Sequence, residues 1–321
     1  MEARGKEALW LQKKPEVLKA LRELAIIQSA ESSNRIEGII VEPRRLRPLL
    51  LQHTHPKERP EEELVGYRKA LDWIHKEYKN IELQPKTILY LHKLIQGNLS
   101  GDSGKWKTKD NEIIELFPDG KRHIRFKALS AKETSKAIQE LCLGYHHICE
   151  QKELPELLAI ATCIFDFLCI HPFRDGNGRI SRLLTLLLLY QHNFLIGRYI
   201  SLERITEETK ESYYKSLSLS SEGWHQGKHT LIPWWNYCLS TLKEAYIEFS
   251  QRMDISESIG GKGTMVQQTI LQQQTSFNLA ELQVLCPSVS VQLIKKILLQ
   301  LKHEKKITLS GRGRGAKWKV K

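Results

Sequence analysis

The run His171-Pro172-Phe173-Arg174-Asp175-Gly176-Asn177-Gly178-Arg179, with Arg182 after it, gathers a base, a hard oxygen ligand, two glycines and the arginine pair Arg179 and Arg182 within 12 residues. His171 is the nearby side chain that can take a proton from a hydroxyl near neutral pH. Asp175 offers the kind of oxygen that Mg2+ accepts together with phosphate oxygens and water. Gly176 and Gly178 open backbone conformations closed to other residues, and a glycine-rich turn leading into a helix over residues 180–190 aims free N–H groups at an anion. Arg179 and Arg182, three apart, are expected to project from one side of that helix's first turn, where fixed cations suit a polyphosphate. Cations at a helix N-terminus oppose its macrodipole, so the arrangement calls for an anion. A plain loop between two core helices, capped by His171, would explain the glycines but not Asp175, Arg179 and Arg182 together. Phe173 is expected to anchor the loop in the core.

The elements that position this loop are mainly helical. Val17, Leu18, Leu21, Leu24 and Ala25 recur at helical spacing over residues 15–30, which predicts an amphipathic helix leading into Ser32-Ser33-Asn34-Arg35-Ile36-Glu37-Gly38. Pro43, Pro48, Pro56 and Pro60 break the pattern into short pieces. Helices are expected again over 61–79, 86–96, 131–150, 155–170 and 232–252. Residues 111–117 and 121–127, rich in Ile and Phe and separated by Pro118-Asp119-Gly120, predict a β-hairpin. Ser256, Ser258, Gly260, Gly261 and Gly263 mark a linker over 254–264. Beyond it, helices over 266–273, 278–285 and 289–303 and strands over 306–309 and 316–320 have the layout of a winged helix-turn-helix. The expected domains are 1–60, an N-terminal region; 61–253, the catalytic core; the linker 254–264; and 265–321.

Composition limits the function classes. Hydrophobic residues make up 41% and charged residues 27% of the 321, which suits a globular chain with a real core. The charged N-terminus lacks the apolar stretch of a secretory signal, and the longest apolar runs fall short of the roughly 20 residues of a membrane span. No membrane partner is expected. Six scattered cysteines without CxxC spacing read as reduced thiols of a cytoplasmic protein. The formal net charge is +12, and residues 254–321 hold 11 Lys/Arg against 4 Asp/Glu, so the basic excess concentrates in the tail.

The residues from His171 to Arg182 resemble the Fic family, whose signature His-x-Phe-x-(Asp/Glu)-Gly-Asn-Gly-Arg-x-x-Arg they match without a gap, and the flanking architecture extends the similarity over residues 15–250. That resemblance implies a Fic-type helical core with the hairpin as a target-binding flap, and transfer of AMP from ATP to a Ser, Thr or Tyr hydroxyl of a target protein or of the chain itself. By the same resemblance His171 is the general base, Asp175 holds Mg2+, Gly176, Asn177 and Gly178 form the anion nest, and Arg179 and Arg182 hold the β- and γ-phosphates. Tyr213, followed by Tyr214 and Leu217, resembles the aromatic element beside the adenine, or forms part of the core. Some relatives have Asn eight residues after that tyrosine, where this chain has Ser221. Doc-type kinases place Lys where this chain has Gly178, which favours adenylyl transfer.

Ser33-Asn34-Arg35-Ile36-Glu37-Gly38 resembles the inhibitory pattern (Ser/Thr)-x-x-x-Glu-(Gly/Asn) of the class that carries it N-terminal to the core. It implies a carboxylate from Glu37 that pairs with Arg182 in place of the γ-phosphate, although a Glu-Gly helix cap is also a common feature. Removal of AMP at the same site stays open, as do a regulator whose core senses nucleotide without turnover, a nucleic-acid contact through residues 265–321, and a homodimer.

Overall fold

A computed structural model of the chain describes residues 15–97, 101–116, 122–259, 261–273, 276–286, 289–311 and 316–321. The expected Pro118-Asp119-Gly120 turn and the basic tip at 312–315 lie outside these residues. The chain is mainly helical and divides into two compact units, residues Ala25–Ala245 and the described residues of Met1–Leu24 with Tyr246–Lys321. The sequence places the divisions elsewhere, at 60 and 253.

The first unit begins within α1 (Pro15–Ile36), followed by α2 (Pro43–Leu50), α3 (Arg59–Glu77) and α4 (Pro85–Gln96). Prolines open α1, α2 and α4, positions where the missing N–H has no helical partner to lose. Pro48 lies inside α2 rather than ending it. β1 (Glu112–Leu116) and β2 (Arg122–Lys127) pair antiparallel, with a register shift between Ile113 and Ile114. Then come α5 (Ala131–Gln151), α6 (Glu156–Ile170), α7 (Asn177–Gln191), α8 (Leu202–Glu208), α9 (Lys210–Ser221) and α10 (Ile232–Ile259). α6 and α7 form the centre. Ile164, Phe165 and Phe167 on one and Ile180, Leu183, Leu187 and Tyr190 on the other are buried, and α7 packs on α3, α4 and α6. A helix apolar nearly all round must be enclosed.

The second unit differs from expectation at its start. The described residues of the expected linker are helical: α10 continues to Ile259, and α11 spans Gly261–Leu271. Glycine costs a helix about 1 kcal/mol, but Phe249 and Met253 before this stretch and Met265 and Val266 after it are buried, and helices carry them into the core. α12 (Leu279–Leu285), held by a capping box between Asn278 and Glu281, and α13 (Val291–His303), capped by Ser290, complete three helices. β3 (Ile307–Ser310) and β4 (Lys317–Val320) form an antiparallel hairpin, and Phe277 bridges to Trp318. The core joins Val266, Phe277, Leu282, Ile294, Ile307 and Trp318. None of the six cysteines is in a disulfide. Among the described residues no helix is long and apolar enough to cross a membrane.

Candidate active site

His171 terminates α6 in a left-handed conformation, φ 50°, and Gly176 opens α7 at φ 86°. Two chain reversals five residues apart throw the loop between them to one end of the central helix pair. The His171 N–H closes the last turn of α6 on Phe167 O at 3.0 Å. Its ring Nδ1 lies 3.2 Å from Leu168 O, which can only accept, so Nδ1 carries the proton and the lone pair is on Nε2. Burial lowers the imidazole to about 4; Lys107 and Arg125 act in the same sense, against the Leu168 hydrogen bond and the Glu37 charge. His171 is therefore a neutral base at physiological pH.

The loop is braced from inside. Phe173 is fully buried and stacks on His92, with ring centroids 3.8 Å apart and planes 6° from parallel. His92 Nδ1 accepts from Gly104 N at 3.0 Å, which leaves Nε2 to donate to Asp175 O at 3.2 Å. Burial lowers His92 to about 4 as well. The Asn177 side chain closes on Phe173 in both directions, accepting from its N–H at 2.9 Å and donating to its carbonyl at 2.8 Å. Asn177 thus serves the nest as a brace, and its side chain is spent.

The two arginines diverge, contrary to the expectation that they share one side. Arg179 is fully buried and pairs with Glu63 of α3, a carboxylate that also accepts from Arg59 Nε at 2.6 Å. Asp175, with its side chain 52% exposed, accepts from Gly176 N at 2.6 Å and lies 3.2 Å from Arg59 Nη2 and 3.5 Å from Arg179 Nη2. Arg182 turns to α1. Its Nε donates to Ser33 Oγ at 2.8 Å, and its Nη2 to Ser33 O at 2.9 Å and Glu37 Oε1 at 2.7 Å. Burial opposes its charge, and the Glu37 carboxylate together with Tyr213 and Tyr67 outweighs that, holding the guanidinium above its ordinary value. The anion demanded at the start of α7 is supplied from within the chain, by Glu63 and Glu37.

Glu37 is placed by a helix cap. Gly38 N donates to Arg35 O at 3.0 Å and Ile39 N to Asn34 O at 3.0 Å, the paired bonds that end a helix through a left-handed glycine, here Gly38 at φ 79°. The end of α1 is fixed to its surroundings by Lys210 Nζ on Ile36 O at 3.1 Å, by Arg35 on Glu207, and by Ser29 Oγ on Glu203 Oε2 at 2.7 Å. The carboxylate then lies against the first turn of α7, so close that a Cβ at Gly178 would collide with Glu37 Oε1. Arg182 Nη1, buried and without a hydrogen-bond partner, borders the same spot, 3.2 Å from where that Cβ would be.

Glu37, His171 and Gly178 meet in a cleft of about 390 Å3, lined also by Tyr213, Tyr214 and Ser221 and walled on the hairpin side by Ile113 and Arg125, whereas Asp175, Gly176, Asn177, Arg179 and Arg182 are not among its lining residues. The volume lies within the ~300–1,000 Å3 of small-ligand sites. Tyr213 is buried against Trp234 and Tyr237, with centroids at 5.7 and 5.5 Å, so it is a core residue with one side in the cleft. Glu63, Arg59, His92, Lys107 and Arg125 escape the sequence reading. Glu63, Arg59, His92 and Arg125 sit in ordinary helical or strand patterns and Lys107 in the irregular stretch before β1, and each has a partner far away along the chain.

Residues 82–189 match the Fic/DOC family. The chain is 38% identical over 70 residues to a Fido domain-containing protein of Dictyostelium discoideum, a match covering 22% of this chain and 45% of that protein. It is 28% identical over 165 residues to the protein adenylyltransferase Fic of Drosophila erecta, covering 50% of this chain and 30% of that one. The matches thus span less than half the length of either relative. Among solved structures, a Fic domain-containing signaling protein from Bacteroides thetaiotaomicron superposes with a TM-score of 0.61 at 23% identity, covering 77% of this chain and 94% of that one. A Fic family protein from Desulfovibrio desulfuricans does so with a TM-score of 0.59 at 17% identity, covering 100% of this chain and 93% of that one. The fold of this chain is that of these Fic proteins.

Proposed function

We propose that this chain transfers AMP from ATP to a hydroxyl of a protein, its own included, and that Glu37 holds the reaction back. The observation that carries the reading is a single cleft in which an imidazole with a free Nε2 lone pair faces a helix N-terminus already filled by a carboxylate of the same chain.

The reaction needs few parts. His171 Nε2 takes the proton as a Ser, Thr or Tyr oxygen attacks the α-phosphorus; the new O–P bond forms, the bond to the bridging oxygen breaks, and pyrophosphate leaves. The N–H groups at the start of α7 and the unpartnered Nη1 of Arg182 offer donors to the polyphosphate once Glu37 withdraws. Arg179, matched to Glu63, is better suited to holding Asp175 and the helix start in place than to binding phosphate itself. Among the described residues there is no group of three or more acidic, His or Cys side chains able to cage a metal ion. Asp175, half-exposed at the edge of the loop, fits a Mg2+ that arrives with the nucleotide and completes its shell from phosphate oxygens and water. Such an ion would neutralise charge on the phosphates. Tyr213 and Ser221 line the part of the cleft left for the base, and the edge of the β1–β2 hairpin is the place for an extended target segment.

The test incubates wild type, Glu37→Gly and His171→Ala with ATP labelled at either the α or the γ position. Protein-bound label from the α position alone, more of it with Glu37→Gly and none with His171→Ala, is expected. Retention of γ label would mean a kinase, and an unchanged rate in Glu37→Gly would remove the inhibitory role.

A second activity has its own observation. The outer face of the C-terminal hairpin carries Lys317 and Lys319 opposite Ser310 and Thr308, while Ile307 and Trp318 point inward. α13 exposes Lys295, Lys296 and Lys302. That charge supports contact with a nucleic-acid backbone.

A further inference from the structure

The loop that carries His171 is also held from outside, by the stretch of chain that leads into β1. Lys107 there is only 6% exposed. Its N–H donates to Pro172 O at 2.9 Å, and its Nζ donates to Ile170 O at 3.1 Å and to Asn111 Oδ1 at 2.7 Å. Asn111 passes the tether along, its Nδ2 donating to Phe173 O at 2.9 Å. The carbonyls of Ile170 and Pro172, the residues on either side of His171, are thus fixed by Lys107 and that of Phe173 by Asn111, around a residue whose left-handed backbone has no glycine to ease it.

The placement has an electrostatic side. Ile170 is the last residue of α6, and the final carbonyls of a helix carry the negative end of its dipole, which favours a protonated imidazole. A base needs the opposite. A buried ammonium on the Ile170 carbonyl counters that field where it meets the ring. The other charged groups that face His171 are Arg125 on β2, acting with Lys107, and Glu37 after α1, acting against it. Burial brings Lys107 itself down to about 8, with Asp110 opposing; it is charged at neutral pH and loses its charge just above.

We propose that Lys107 is a positioning residue for His171: it ties down the peptide groups on both sides of the imidazole and sets a cation against the carbonyl end of α6, so that the ring stays an unprotonated base. This rests on the role given to His171 above, and the readout is chosen to stand apart from it.

The test follows the His171 ring by NMR through a pH titration of the full-length chain. Wild type titrates near 4, with a smaller second step near 8 as Lys107 loses its proton. Lys107→Arg removes the upper step and leaves the lower one in place; Lys107→Met moves the lower midpoint up, but keeps it below the ordinary imidazole value of about 6.5 because burial, the larger cause, remains. In a Glu37→Gly background the acid limb of label transfer moves with it, and Lys107→Arg restores the wild-type limb. A midpoint unmoved in Lys107→Met, or an upper step that survives Lys107→Arg, overturns the proposal. The second criterion needs only the conservative variant, which serves should Lys107→Met fail to fold. Midpoints that move while no variant transfers label would sink the reaction and leave the role of Lys107 intact.

Discussion

At the residue scale the site is organised by two buried cations with different partners. Arg179 faces Glu63, which reaches it from α3, and Arg182 faces Glu37, which reaches it from the cap after α1. The first pair is enclosed on both sides: Arg179 has no exposed surface and the Glu63 side chain is 3% exposed. The second is looser, with Glu37 at 28% exposure. Removing one partner from an enclosed pair leaves an uncompensated charge, a loss of about 3–5 kcal/mol. Glu63→Gln, which keeps the shape and removes the charge, is therefore expected to lower the unfolding free energy by about 3 kcal/mol, as read by urea titration. Glu37→Gln is expected to change stability far less, because that carboxylate can trade its contact for water. If both variants lose the same stability, the distinction between a structural pair and a displaceable one fails.

At the element scale, what matters is how α1 ends. Gly38 stands at φ 79° with nothing within 4 Å of where a Cβ would be, so only backbone conformation resists a side chain there. Gly38→Ala is expected to loosen the cap by about 1 kcal/mol and to give label transfer between wild type and Glu37→Gly; Gly38→Asn, which tolerates a left-handed backbone, is expected to stay near wild type. A Gly38→Ala rate equal to wild type, with Glu37→Gly faster than both, would show that the cap does not govern Glu37. The same helix shows what could be read in advance. Its apolar spacing was visible over 15–30, and the Glu-Gly ending was visible too, as a cap or as an inhibitory carboxylate. The structure shows the cap, and it sets the Glu37 carboxylate on Arg182. The helix runs on through Ser32 to Ile36 because Ser29, Ser32, Ser33 and Asn34 are buried, where they meet polar groups such as Glu203 and Arg182. Polar residues on a buried face break the hydrophobic pattern, and only their distant partners explain them. α8 and α9 were missed for a related reason, being short and holding few apolar residues each. The loop from His171 to Arg182 was legible because its chemistry is contiguous; Lys107, His92 and Glu63 were not, since folding alone brings them to it.

At the scale of the whole molecule, charge and chemistry are separated. The candidate active site lies within residues 25–245, whereas the basic excess lies in residues 254–321. In the second unit, every described lysine from Lys295 to Lys321 is exposed, against Glu281 and Glu304 among described exposed acids over that stretch and α12, and Glu304 is already paired with Lys306 at 2.8 Å. Lys317 and Lys319 alternate with the buried Trp318, so the pleat of β4 puts both on one face, beside Thr308 and Ser310 across the register, whose hydroxyls donate to the Lys319 and Lys317 carbonyls. Ammonium groups side by side on one strand face suit phosphate oxygens, and each phosphate neutralised contributes about 0.9 to the slope of log K against log salt. Binding of a fluorescent DNA duplex to the full chain, measured by anisotropy over a salt series, is expected to weaken with salt for every duplex sequence tried. Lys317→Ala with Lys319→Ala, both at exposed sites that leave the core untouched, is expected to lower the magnitude of that slope by about 2. A duplex affinity that ignores salt, or a slope unchanged in the double variant, would remove nucleic acid as the partner and leave this face to an acidic protein surface.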